Sequence, residues 1–234
     1  PRSTLFPYTT LFRSGFLMKN DRLGANVLSM KVIPNVDPAL AKELSLKPEH
    51  RSLGIVTSDC DDVTYVALDE ATKAADVTVV YGKSMYAGAA NASTKLAGEV
   101  IGIIAGPSPA EVNSGLSVIT QVIEEEASFY SANEDDSIVY FAHVVSRTGS
   151  FLSEQANIPE GEAIAYLIAP PLEAMVGLDA AMKAADVQMG VFYGPPSETN
   201  FGGALLTGSQ SACKAACSAF EQVIQNIADN PLSY

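Results

Sequence analysis

Leu68-Asp69-Glu70-Ala71-Thr72-Lys73-Ala74-Ala75-Asp76-Val77 returns as Leu178-Asp179-Ala180-Ala181-Met182-Lys183-Ala184-Ala185-Asp186-Val187, with eight of ten positions identical at an offset of 110. Repetition at a fixed spacing marks a duplicated structural unit. The surroundings agree. An extended run follows each copy (77–82; 187–194), then a glycine-bearing connection, a short apolar strand (100–105; 204–207) and a helix. Upstream, Pro48-Glu49 precedes a predicted strand at 53–57, as Pro159-Glu160 precedes one at 163–169. The chain therefore reads as two homologous units, residues 18–126 and 127–234. The acidic stretch 124–136 between them is expected to be a solvated linker.

Each unit reads strand, short helix, strand, helix, strand, strand, helix. Short apolar runs beside one-faced helices imply an α+β layer, one small, mainly antiparallel sheet with helices packed on one side. The last helix is the clearest case. Cys213, Ala216, Cys217, Phe220, Val223, Ile224 and Ile227 recur at helical spacing. The matching stripe of the first unit is Val112, Leu116, Ile119 and Ile123.

Composition narrows the function. With 27 acidic against 14 basic side chains the net charge is −13, which opposes nucleic-acid binding and an anionic membrane surface. The longest apolar runs are far short of the ~20 residues a membrane helix needs. Residues 1–17 are read as a non-native leader. PYTTLFRS resembles a translated sequencing-adapter scar, and Met18-Lys19-Asn20 looks like the true start. Dropping its two arginines makes the charge −15. Three cysteines are too few for a disulfide framework and point to a reducing interior.

Few local motifs carry chemistry. Cys213 and Cys217 have a spacing that could present two thiolates to zinc, yet they lie on the apolar stripe, and core packing is the expected role. Tyr81-Gly82-Lys83-Ser84 ends like a phosphate-binding loop, but Val77 stands where its first glycine is required. Asp59-Cys60-Asp61-Asp62 is more unusual, because closely spaced carboxylates need solvent, a cation or donors. Solvated loop acidity is the first reading; the alternative is binding of a cation or amine through charge-assisted hydrogen bonds. The second unit has Pro171 and Leu172 in place of Asp61 and Asp62. The connections 82–98 and 194–203 occupy equivalent places, and long connections of this kind tend to be functional.

Taken together, DAAMKAADV, GVFYG and GALLTGSQSACKAACSAF, with DEATKAADVTVVYG and EVIGIIAGPSPAEV in the first copy, resemble the bacterial microcompartment (BMC) shell-protein domain. Two strands precede the first helix of the motif in each unit, as in circularly permuted members. RSLGIVTSDCDDVTY, SMYAGAANASTKLAGEV, AHVVSRTGS, APPLEA and PPSETNF extend the resemblance over residues 18–234, to the tandem-domain shell proteins of ethanolamine utilisation.

That resemblance implies a non-enzymatic shell component without cofactor or metal. It implies a homotrimeric, pseudohexameric tile that packs with other shell proteins around a bacterial microcompartment in the cytoplasm. Lys73 and Lys183 would lie at the tile edge, although both copies of that motif end in Asp where Asn is commoner. Lys83, Tyr86, Ala87, Gly88, Ser197, Glu198 and Asn200 would belong to loops gating a central pore. Asp61, Asp62, Glu99, Phe129 and Thr199 would line a smaller pore that takes ethanolamine or a similar small amine. A duplicated regulator sensing an amine or metal is the alternative, and a metal-dependent enzyme using Asp61, Asp62 and Glu99 is the third reading.

Overall fold

The computed structural model describes residues 18–85, 96–195 and 200–233. Among these, one compact unit comprises residues 24–127 with 149–151, and the other comprises 18–23, 128–148 and 152–233. The first element among the described residues is β1 (Arg22–Leu23), a two-residue strand of the second unit.

The first unit then runs β2 (Val27–Ile33), α1 (Pro38–Glu43), β3 (Ser52–Ser58), α2 (Asp61–Ala74), β4 (Thr78–Ser84), β5 (Val100–Gly106) and α3 (Pro109–Gln121). Its sheet is antiparallel in the order β2-β3-β5-β4. α2 and α3 cover one face. Glycines allow this: a Cβ on Gly54 would stand 2.7 Å from Val112, and one on Gly102 would stand 2.9 Å from Leu68. Leu68, Ile104 and Ile119 are fully buried between the layers, each contributing roughly 1.5–3 kcal/mol.

The expectation of helices on a single side is corrected here. Val36, Leu53, Ile103 and Ala105 form a second cluster with Ala41, Leu44 and Ile55, so α1 caps the opposite face. With both faces covered, β5 reads as a continuous apolar run rather than an alternating one.

The expected linker is also ordered. A π-helical turn (Val122–Glu126) prolongs α3, its Val122 and Ile123 buried and Glu124, Glu125 and Glu126 exposed. Pairing of Gly82, Lys83 and Ser84 with β5 carries β4 to Ser84, so the predicted loop start at residue 82 is strand.

The second unit continues with β6 (Phe129–Ser131), β7 (Val139–Val145), α4 (Ser150–Ala156), β8 (Ala163–Ala169), α5 (Pro171–Ala184), β9 (Val187–Tyr193), β10 (Gly202–Gly208) and α6 (Gln210–Asp229). Gly149–Phe151, at the head of α4, is counted with the first unit. The sheet order is β1-β6-β7-β8-β10-β9, extending the four-strand plan by two short strands. Cys213, Ala216, Cys217, Phe220 and Ile224 of α6 enter the core. Burial pushes the Cys213 thiol up and the Cys217 thiol up to about 12, as suits packing rather than zinc binding.

The duplication reaches the level of register. β4 bulges between Val79 and Tyr81 against β5, and β9 bulges between Met189 and Val191 against β10. Gly82 opposite Gly102 thereby corresponds to Phe192 opposite Ala204.

One backbone position is under unusual constraint. Gly98 has φ +66°, and a Cβ there would stand 2.1 Å from the Ser58 carbonyl oxygen, which accepts from the Glu99 N–H at 2.8 Å. Gly98→Ala is expected to cost about 2–4 kcal/mol, a fall in Tm readable by calorimetry, because left-handed geometry and overlap both oppose the methyl group.

Candidate functional site

β3, β4 and β5 place their ends together in the first unit, and the acidic residues collect there. β3 ends at Ser58, α2 starts at Asp61, β4 ends at Ser84, and Glu99 immediately precedes β5. The Met85 N–H donates to the Glu99 carbonyl at 2.6 Å, so the flanks of the connection between β4 and β5 are tied together.

Asp61 and Asp62 are not on a solvated loop. They form the first turn of α2, with 5% and 6% exposure, where the helix dipole favours negative charge. Asp61 Oδ1 accepts from the Asp62 N–H at 2.9 Å, and Asp61 Oδ2 accepts from Ser84 Oγ at 2.7 Å. Ser84 has one proton, so the Tyr65 hydroxyl, 2.7 Å from Ser84 Oγ, donates to it. A relay Tyr65 to Ser84 to Asp61 thus fixes the carboxylate from below.

Asp59 is held by Asn26, accepting from its backbone N–H at 2.7 Å and its side-chain amide at 2.8 Å. Ser58 Oγ lies 2.5 Å from Thr64 Oγ1, which donates to the Cys60 carbonyl and locks the turn into α2. Cys60 is buried, and burial with the adjacent Asp61 and Asp62 pushes its thiol well up.

Glu99 is 7% exposed. Burial, then the charges of Asp61 and Asp59, push its carboxyl up to about 7. The site therefore combines anchored carboxylates with one that titrates near neutrality. Such a set can accept hydrogen bonds from a compact cation, and the cation would favour loss of the Glu99 proton.

The structure does not bring every expected residue into this unit. Phe129 belongs to the second unit, 4% exposed, its ring 5.2 Å from Phe141 and 6.2 Å from Phe201. Thr199, Tyr86, Ala87, Gly88, Ser197 and Glu198 lie outside the described residues. Lys83 sits in β4 opposite Ile101, and Asn200 adopts φ 66°, a conformation that asparagine tolerates. Lys73 bonds to Glu70 at 2.5 Å beside Asp69, whereas Lys183 pairs with Asp179 at 2.6 Å and is far more exposed. Tyr65 and Ser84 were not singled out from sequence. Tyr65, four residues after Asp61, shares its helix face and could have been; Ser84 joins only when β4 packs against α2.

This fold and its repeat define a class. Residues 52–134 match the BMC domain model. The chain is 68% identical over 217 residues to the bacterial microcompartment shell protein EutL of Clostridium perfringens, covering 93% of this chain and all of that one. It is 54% identical to EutL of Salmonella typhimurium over 91% of this chain and 97% of the relative. The crystal structure of the ethanolamine utilization protein EutL from Leptotrichia buccalis superposes with a TM-score of 0.90 at 70% identity, covering 93% of this chain and all of that one. The protein is thus a microcompartment shell protein rather than an enzyme. It belongs to the EutL family.

Glu99 gives this end of the sheet a measurable signature. Its carboxyl is protonated in the folded state up to about pH 7, against an ordinary value near 4.5. Between those values the folded state holds a proton that the unfolded chain has lost, so stability falls as pH rises through that window. Glu99→Gln is expected to raise stability at pH 8 by about 1–3 kcal/mol and to flatten the slope between pH 5 and 8 in denaturant titrations.

Proposed function

We propose that the protein is a homotrimeric, pseudohexameric shell tile with a gated central opening and one small amine-binding pore per subunit. The observation that carries the small pore is the burial of Asp61, Asp62 and Glu99 together at one sheet end, with Asp61 anchored by Ser84. Similarity over 93% of the chain to a protein named for ethanolamine utilisation favours ethanolamine as the amine. Its ammonium group would sit against Asp61, Asp62 and Glu99, with Phe129 and Thr199 as the neighbours the family pattern implies.

The mechanism follows from electrostatics. A net charge of −13 and an acidic constriction raise the local concentration of a cationic metabolite. Binding neutralises carboxylates that share a buried site and takes the Glu99 proton into solvent. The connections 85–99 and 194–201, with Lys83, Tyr86 to Gly88, Ser197, Glu198 and Asn200, form the central gate. The ligand moves that gate only by the difference in its affinity for the open and closed states. Lys73 and Lys183 lie at the tile edge and meet neighbouring shell proteins of the microcompartment in the cytoplasm.

Light scattering on the purified protein is expected to give roughly 74 kDa, three copies of the 24.6 kDa chain. A monomer or stable dimer would leave no central opening and would favour the amine-sensing regulator instead. In titration calorimetry, Asp61→Asn with Asp62→Asn is expected to weaken ethanolamine binding at least about 10-fold. Wild-type affinity should rise from pH 6 to pH 8, and Glu99→Gln should remove most of that rise. Unchanged affinity in the double variant would refute the site.

A further inference from the structure

The two oxygens of the Asp61 carboxylate are held by different donors. The Asp62 N–H donates to Oδ1 at 2.9 Å, and the Ser84 hydroxyl donates to Oδ2 at 2.7 Å. The last torsion of an aspartate side chain is otherwise broad, so a donor on each oxygen fixes the plane of the group. Attraction between charges does not need that plane, because it depends on distance. A hydrogen bond does need it, since it weakens steeply once its angle falls below about 120°.

Tyr65 makes the hold one-way. A serine hydroxyl rotates and can give its proton to either side. The Tyr65 hydroxyl, 2.7 Å from Ser84 Oγ, donates to it and leaves the Ser84 proton for Asp61. The Tyr65 ring lies along the bare backbone of Gly82, where a Cβ would stand 3.6 Å from Cε1, and its centroid is 6.1 Å from that of Phe151.

The second unit separates these hydroxyls from the packing. α2 and α5 correspond at the offset of 110, and Gly98 and Asn200 both take φ 66°, so Glu99 and Phe201 occupy matching places just before β5 and β10. Asp61, Asp62, Tyr65, Ser84 and Glu99 are replaced by Pro171, Leu172, Met175, Gly194 and Phe201. None of these replacements carries a side-chain hydrogen-bond donor or a carboxylate. Over the same stretch Leu68, Ala71 and Gly106 return as Leu178, Ala181 and Gly208. The frame therefore folds without Tyr65 and Ser84, and the two hydroxyls come and go with the carboxylates.

We propose, resting on the amine-site reading above, that Tyr65 and Ser84 are positioning residues that make the site select ammonium groups bearing N–H donors. A primary ammonium presents three such donors, and an Asp61 of fixed plane accepts one of them along a set direction. A quaternary ammonium of equal charge presents none, so it gains only the undirected attraction. Loss of the relay leaves that attraction in place and removes the directed part.

The test is a titration of the full chain with ethanolamine, and with choline by displacement of ethanolamine, at pH 8, where Glu99 is largely ionised. The wild type is expected to prefer ethanolamine at least about 10-fold. Ser84→Ala should weaken ethanolamine about 10-fold and choline less than about 2-fold. Tyr65→Phe keeps the ring beside Phe151 and should weaken ethanolamine about 3-fold. The double variant should bind no more weakly than Ser84→Ala, because Tyr65 acts only through Ser84; independent roles would add. Circular dichroism checks the fold of each variant. Additive losses, equal losses for both ligands, no preference in the wild type, or ethanolamine affinity unchanged in both single variants each overturn the relay. The amine reading then still stands if Asp61→Asn with Asp62→Asn weakens binding. A wild type that binds neither amine overturns both.

Discussion

Close approach of helix to sheet is the constraint on which the first unit depends. Gly54 and Gly102 present bare backbone to Val112, Leu116 and Leu68, with no room for a methyl group. α2 therefore lies low enough on the sheet for its first turn to meet the ends of β3 and β4. Ser84 reaches Asp61 from one side and Tyr65 reaches Ser84 from another. Without this close seating, Asp61 and Asp62 would begin a helix in solvent.

The second unit keeps the frame and changes what it presents. Its α5 packs on α6 through Gly177, where a Cβ would stand 2.7 Å from the Phe220 ring. The pattern of close contact survives, yet Pro171 and Leu172 occupy the positions of the two aspartates. Duplication thus preserves what the core requires and frees the outer helix faces, so one copy buries carboxylates while the other exposes leucine, methionine and valine.

Burial sets the chemistry of the acidic end. A carboxylate removed from water is stabilised only by donors or by a cation. Asp59 and Asp61 have donors in Asn26 and Ser84 and hold their charges in place. Glu99 faces those charges, and keeping its proton relieves the repulsion. A shell component therefore carries a titratable group beside the flanks of a long connection, where the Met85 N–H ties to the Glu99 carbonyl.

The duplicated motif around Lys73 and Lys183 made the repeat, the element order and the core stripe of α6 legible in the sequence, because these rest on local spacing and period. The charge balance and the resemblance carried by the DCDD stretch pointed to the acidic residues themselves. What the sequence alone could not decide was their environment. Asp61 and Asp62 read first as a solvated loop, since burial depends on how closely α2 meets a sheet whose strands are distant in the chain. Ser84 had no local signal, and α1 was misplaced because nothing in its six residues tells which sheet face it covers. Periodicity follows from neighbours along the chain, so sequence determines it; desolvation and the pairing of faces follow from neighbours in space, and only the tertiary structure decides those.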